Sequence, residues 1–228
     1  MSTVGSDSCA FRPVKPLNRV AAPKFRRVSA AVRREDLISA TLVCLQKFGH
    51  EGVSVRRISA EAGVTMGLIN HHFGGIAGLV AAAYDTLATT LLNASRTRSL
   101  QGTASPIQRL QRFFEASFSP GALEPALFRT WLVFWSLVPH APQVRAVHDR
   151  TYGDTRAALE GLLRRLQREP ATPAFRVRPA AIGLAALIDG LWVELSLNPQ
   201  SFTAAAATAL CMDWVSALSN GALPSLRL

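Results

Sequence analysis

The sequence predicts an all-α protein, with a three-helix unit near the N-terminus and a larger helical body behind it. Three observations carry that expectation. Ala- and Leu-rich stretches with apolar residues at helical spacing run through most of the 228 residues, and no alternating apolar–polar run of useful length appears. Pro120-Gly121, Pro139 to Pro142, Pro170 to Pro173 and Asn198-Pro199 divide the second half into segments of helix length. Residues 53–73, VSVRRISAEAGVTMGLINHHF, read as two short helices joined by a tight, Gly-containing turn, the layout of a helix-turn-helix.

Composition bounds the rest. A hydrophobic content of 49% with 18% charged residues supports a sizeable core and argues against global disorder. Cys9, Cys44 and Cys211 are odd in number, widely spaced and without a CxxC pair, so neither a disulfide framework nor a zinc site is expected, and a reducing cytoplasm is the default. The first 20 residues lack the apolar core of a secretory signal, and no apolar run reaches the roughly 18–20 residues of a membrane span. A net charge of +10 favours a polyanionic partner. Residues 1–75 hold eleven basic and five acidic side chains, which concentrates that charge around the helix-turn-helix.

In chain order, residues 1–30 read as a Pro-containing basic arm. Arg26 and Arg27 either reach DNA from it or belong to a solvated tail. A helix over about 32–48 places Ile38, Leu42, Leu45 and Phe48 at helical spacing, with Gly49 ending it. Ser54 is suited to cap the next helix, with Val55, Ile58 and Ala62 on one side, before the break at Gly63 and Val64. Thr65 is expected to cap a helix from Met66 to His72, with Leu68, Ile69 and Phe73 turned inward. This gives a DNA-binding unit over 31–76, a helical body over 77–220 and a tail over 221–228. The body's helices are expected at about 77–95, 106–118, 124–138, 143–168, 177–197 and 203–219. The last two are apolar around much of their circumference and need a second buried face, which a symmetry mate would supply.

The inward residues of the second short helix leave Met66, Asn70 and His71 outward, where Asn can bond an adenine edge. Gly67 lets a helix lie close to a DNA backbone, and Thr65 can offer its hydroxyl to a phosphate at the helix N-terminus. Adjacent His71 and His72 point about 100° apart, so a shared metal ion is not expected. In the body, Phe128, Trp131, Phe134 and Trp135 fall on one helix face, and Asp189 and Trp192 lie three apart on another. Two readings fit: an aromatic core with Asp189 bonded to a backbone group or an Arg, or a cage for a quaternary ammonium, in which indole faces and one carboxylate receive a cation that cannot hydrogen-bond. There is no nucleophile elbow, Gly-rich phosphate loop or HExxH, so neither an enzyme nor a cofactor is expected. His148, Asp149, Tyr152 and Asp154 read as surface or capping groups near a helix start.

The run Ile58-Ser59-Ala60-Glu61-Ala62-Gly63-Val64, then Thr65-Met66-Gly67, His72-Phe73 and Leu79, resembles the TetR family of bacterial transcriptional repressors. Arg33-Arg34, the block Thr130 to Trp135 and the string Leu187-Ile188-Asp189-Gly190-Leu191-Trp192 narrow the resemblance to the BetI-type branch, which contains the choline-sensing repressor of the betaine pathway. The resemblance spans roughly residues 32–218. It implies a three-helix DNA-binding domain and a helical ligand-binding and dimerisation domain, joined as a homodimer through the last two helices on a palindromic operator. It adds a phosphate contact at His72 and choline or a similar small cation as effector, and Ser54, at the start of the first short helix, is counted with the DNA-binding candidates. Two positions depart from the pattern, Asn70 for a Tyr and Ile76 for a phosphate-contacting Lys, and Arg26, Arg27, Arg33 and Arg34 are the candidates to restore the lost contact. The departures leave a second reading, a helical effector- or partner-binding protein with weakened DNA binding.

Overall fold

Ser29 accepts a hydrogen bond from the Val32 amide and caps the first helix two residues earlier than its apolar pattern begins. The computed structural model describes residues 29–170 and 172–226, so Arg26 and Arg27 lie outside the described residues. The helices among them are α1 Ala30–Phe48, α2 Val55–Ala62, α3 Gly67–Phe73, α4 Ile76–Leu100, α5 Pro106–Ser117, α6 Pro125–Leu137, α7 Pro142–Gln167, α8 Val177–Leu197 and α9 Ala204–Ser219. No strand lies among the described residues.

The chain is punctuated mostly where its residues say it should be. Ser54 caps α2 by accepting from the Arg57 amide, and Gly63 ends it at φ +65°, a left-handed conformation that few other residues adopt without strain. The expected Thr65 cap does not form. α3 begins at Gly67 with Met66 at its N-cap, and Thr65 contributes only its carbonyl, to the Leu68 amide. The loop before α5 holds a device the apolar pattern did not reveal, a capping box in which Ser105 and Gln108 satisfy each other's backbone amides. Residues 221–226, expected as a tail, fold back: the Leu226 carbonyl accepts from the Arg176 amide at 2.7 Å, and Leu223 and Leu226 pack on the body.

Three apolar clusters organise the molecule. Leu37, Ala40, Cys44, Ile58, Ile69 and Leu79 hold α1 to α3 against the start of α4. Leu45, Val80, Ala83, Tyr84, Leu87, Leu127, Val133, Phe134 and Val144 join α1 and α4 to α6 and α7. The largest cluster fills the body between α5, α7, α8 and α9, around Phe113, Phe114, Leu159, Leu163 and Leu184. Helix α4 therefore belongs to both the three-helix unit and the body. Gly78 sets how closely it follows α3, since a Cβ there would overlap the Phe73 carbonyl oxygen. By length and composition alone α4 and α8 are apolar enough to cross a membrane, although polar residues interrupt both. In the fold, α4 buries Leu79, Val80, Tyr84 and Leu87 as the connecting helix.

Within the three-helix unit one group works against the fold. The Ser59 hydroxyl is buried and, among the described residues, has no hydrogen-bond partner. Removing an unpaired buried hydroxyl recovers its desolvation cost, so Ser59→Ala is expected to stabilise the protein by about 1 kcal/mol, read as a raised midpoint in urea unfolding with an unchanged m-value.

Candidate functional site

Two separate surfaces carry the residues singled out in the sequence. The first is the outer face of α2 and α3. Met66, Gly67, Asn70 and His71 are exposed there, Ile69 is fully buried beneath them, and His72 lies between the two conditions. The Thr65 hydroxyl is exposed and unbonded among the described residues. Among the described residues a Cβ on Gly67 would meet nothing within 4 Å, so none of them requires glycine at that position.

Beside this face, Ser54, Arg56, Arg57 and Ala60 line a surface depression of about 350 Å³ at the start of α2. Arg57 is partly spent, lying over the Phe48 ring at 4.7 Å and pairing with Glu51 at 3.6 Å. Arg56 is exposed and was not singled out from the sequence, where a charged residue inside a short helix gives no signal of its own. Arg33 is half-buried at the start of α1. Arg34 has an intramolecular role: it donates to the His72 carbonyl and lies over the Phe73 ring at 4.3 Å, capping the C-terminal end of α3. Ile76 packs into both N-terminal clusters.

The second surface is an aromatic site where α4, α6, α7 and α8 meet. Trp131 and Trp135 of α6 and Trp192 of α8 form a triangle, with ring centres 6.3 Å (131–135), 6.2 Å (131–192) and 6.2 Å (135–192) apart and the planes steeply inclined. Phe128 meets Trp192 edge-on at 5.2 Å. The indole N–H groups of Trp135 and Trp192 are engaged with the Tyr152 hydroxyl at 3.1 Å and the Ala122 carbonyl at 2.8 Å, which fixes the ring planes. Phe134, expected in this wall, is wholly buried and stacks on Tyr84 at 4.6 Å, so it backs the site from the core between α4 and α6.

Asp189 stands on α8 one turn before Trp192, with the Tyr152 hydroxyl against its carboxylate. Burial pushes its pKa up to about 6, and the Tyr152 hydrogen bond offsets part of that rise. No Lys, Arg or His pairs with it among the described residues, so the salt bridge weighed from the sequence is not formed. Tyr84 and Tyr152 are both held well above the usual tyrosine range by burial and then by nearby negative charge. His148 bonds the Tyr84 hydroxyl through Nδ1 at 2.9 Å, lies 4.2 Å from the Tyr152 ring, and is held below its usual value by burial. Trp135, Val138, Pro139, His148 and Tyr152 line a surface depression of about 380 Å³ at the edge of this cluster, and Trp131, Trp192 and Asp189 are not part of its lining.

The sequence reading placed His148 and Tyr152 at the surface near a helix start. They lie inside α7, one turn apart, facing the cage, while Asp154 bonds Arg150 instead. One signal could have found them: the chain has two tyrosines and four tryptophans, and both tyrosines and three of the tryptophans converge here. The fourth, Trp214 of α9, lies against Gly183.

The model for bacterial regulatory proteins of the tetR family matches residues 37–83, and the model for the C-terminal part of BetI-type transcriptional repressors matches residues 106–220. The HTH-type transcriptional regulator BetI of Serratia proteamaculans is 34% identical over 199 residues, covering 85% of this chain and 96% of that protein. BetI 1 of Chromohalobacter salexigens is 33% identical over 187 residues, covering 81% and 89%. The crystal structure of a candidate transcriptional regulator from Pseudomonas aeruginosa PAO1 superposes with a TM-score of 0.81 at 43% identity, covering 88% of this chain and 97% of that one. A candidate regulator from Saccharomonospora viridis, solved in complex with choline, shares the fold with a TM-score of 0.70 at 19% identity, covering 82% and 96%.

Proposed function

This chain belongs to the tetR family of bacterial regulatory proteins, with the C-terminal half of a BetI-type transcriptional repressor, and from that premise we propose that it is a cytoplasmic homodimer released from its operator by a small quaternary ammonium. One observation carries the effector assignment: an ionisable carboxylate, Asp189, stands without a cationic partner among the described residues beside three mutually inclined indoles. Burying a lone carboxylate is costly, and a bound cation offsets that cost. Aromatic faces attract a methylated ammonium without needing a hydrogen bond from it, and the indole N–H groups of Trp135 and Trp192 are directed elsewhere. Choline, bound by the Saccharomonospora viridis relative of the same fold, has this chemistry.

On the DNA side, α3 enters a major groove with Met66, Asn70 and His71 towards the bases. Thr65, Ser54, Arg56 and His72 contact phosphates, with Arg33 near the start of α1 in support. Arg34 acts by holding α3 in place. Because nothing among the described residues crowds position 67, Gly67→Ala is expected to leave thermal stability within a degree or two while weakening operator binding about tenfold or more, as the added methyl holds α3 off the DNA backbone. Unfolding curves and gel shifts on the same preparation separate the two effects.

The dimer forms through α8 and α9. Arg178, Ile182, Ala186 and Gly190 make an exposed i,i+4 stripe on α8, and Ala205, Ala209 and Leu210 are exposed on α9. Ile182 and Leu210 remain 49% and 48% exposed, unusual for large apolar side chains on adjacent apolar helices. A second copy covers both stripes, and its twofold axis sets the two α3 helices on half-sites roughly 34 Å apart, or a multiple of that. The test is a binding titration against the DNA flanking its own gene at two salt concentrations. Affinity that falls steeply with salt supports phosphate-anchored operator binding. Failure to bind at low salt rejects it and favours an effector-binding protein that has lost DNA.

A further inference from the structure

We propose that Arg129 is the positioning residue that couples the aromatic site to the DNA-binding helices; the proposal rests on the effector-controlled DNA binding put forward above. Arg129 lies on α6 between Phe128 and Trp131. Two residues along a helix are about 200° apart, so its side chain leaves α6 on the side opposite Trp131. There its Nε and Nη2 both donate to the Gln46 carbonyl, at 3.3 and 3.2 Å, across 83 residues of sequence.

Gln46 stands in the last turn of α1, where carbonyls lack partners within the helix and the helix dipole favours a cation. The guanidinium therefore closes an end of the DNA-binding unit with a group borne by the cage helix. α1 and α6 also share an apolar cluster, around Leu45, Leu127 and Val133. Apolar contacts hold the two helices together but carry no charge and no hydrogen-bond direction. Two donors of one planar guanidinium converging on a single carbonyl oxygen add a directional, charge-assisted contact between the two helices. When Trp131 and Trp135 close on a cation, α6 moves as a rigid rod, and Arg129 carries that movement to α1. α1 in turn packs against α2 and holds α3 through Arg34. The side chain is exposed, so its removal costs the core little.

The experiment compares operator affinity with and without saturating choline in the wild type, Arg129→Ala and Arg129→Lys, and measures choline affinity in each by tryptophan fluorescence. The ratio of the two operator affinities is the coupling, commonly 5- to 150-fold in regulated proteins. Arg129→Ala is expected to bind choline within twofold of the wild type and to bind operator, while its coupling falls at least fivefold towards none. Arg129→Lys, which keeps a charge but loses the fork, should fall between. Unchanged coupling in Arg129→Ala overturns the proposal, and so does loss of choline binding or of operator binding without choline, since either would make Arg129 a support of the fold. A wild type that binds operator but is not released by choline would sink the effector reading instead, and this coupling role with it.

Discussion

Replacing Asp189 by Asn is expected to make the protein more stable and deaf to its effector. Asn keeps the shape of the carboxylate and an oxygen for the Tyr152 hydroxyl, but removes the charge. In the native fold the Asp189 carboxyl titrates at about 6 rather than 3.8, because burial disfavours its ionised form. A group whose folded pKa is raised stabilises the fold only while protonated. Its contribution is full below pH 3.8 and is lost as pH rises through about 6. The difference of about two pKa units corresponds to about 3 kcal/mol at most. Asp189→Asn should therefore match the wild type near pH 4 and exceed its unfolding free energy by up to about 3 kcal/mol at pH 7.5. Cation binding should show the opposite dependence on this residue. In the wild type, choline affinity falls about tenfold per pH unit below about 6, as a proton takes the carboxylate. Protonation of His148 acts in the same direction, and the variant separates the two: its affinity is weak throughout and loses the Asp189 step. Denaturant unfolding and calorimetric titration across that pH range check both halves. Equal stability at pH 7.5, or full choline affinity in the variant, would remove Asp189 from the site.

Gly78→Ala is expected to damage DNA binding more than any single exposed change on α3. The added Cβ would overlap the Phe73 carbonyl oxygen, and both groups belong to backbone held by packed helices. Relief requires α4 to move away from α3, which opens the cluster of Ile58, Ile69 and Leu79 beneath the reading face. Overpacking costs about 1–3 kcal/mol, towards the upper end where the obstacle is backbone, and here the cost is concentrated in the three-helix unit. The aromatic site is built from α4, α6, α7 and α8 further along the chain, so choline binding should survive while operator binding is lost. Choline quenching of tryptophan fluorescence, run beside a gel shift, distinguishes this from general unfolding. Retained operator affinity would mean that α3 takes up the displacement without consequence.

The contrast between those two sites also shows what was legible in the chain. The reading unit could be read because its limits are made by single residues with local effects: Ser54 capping α2, Gly63 turning out of it, and Ile69 marking the buried side of α3. Thr65 failed as a cap because Met66 takes the N-cap position, a one-residue choice set by how α3 docks. Half of the aromatic site was visible because Trp131, Trp135, Asp189 and Trp192 occur in two short strings whose spacing fixes their faces. Tyr84 and Tyr152 complete it from α4 and α7, and no local period predicts which helices will meet. The same limit explains Phe134, which shares the stripe of Trp131 but sits far enough round α6 to stack on Tyr84 instead. The charge of Arg34 is visible in sequence and suggests a DNA contact, whereas the Phe73 ring and His72 carbonyl that hold it come from the fold and carry no local signal.

The measurement closest to the central claim is the fluorescence anisotropy of a labelled operator bound to the wild-type protein, followed as choline is added at about pH 7.5 and moderate salt, with ethanolamine as the matched primary amine. The account predicts saturable release by choline and at least tenfold weaker release by ethanolamine, whose three N–H groups must leave water for a site that sets one carboxylate, Asp189, among indole faces. A complex that stays intact in saturating choline, or that both amines release equally, would contradict it.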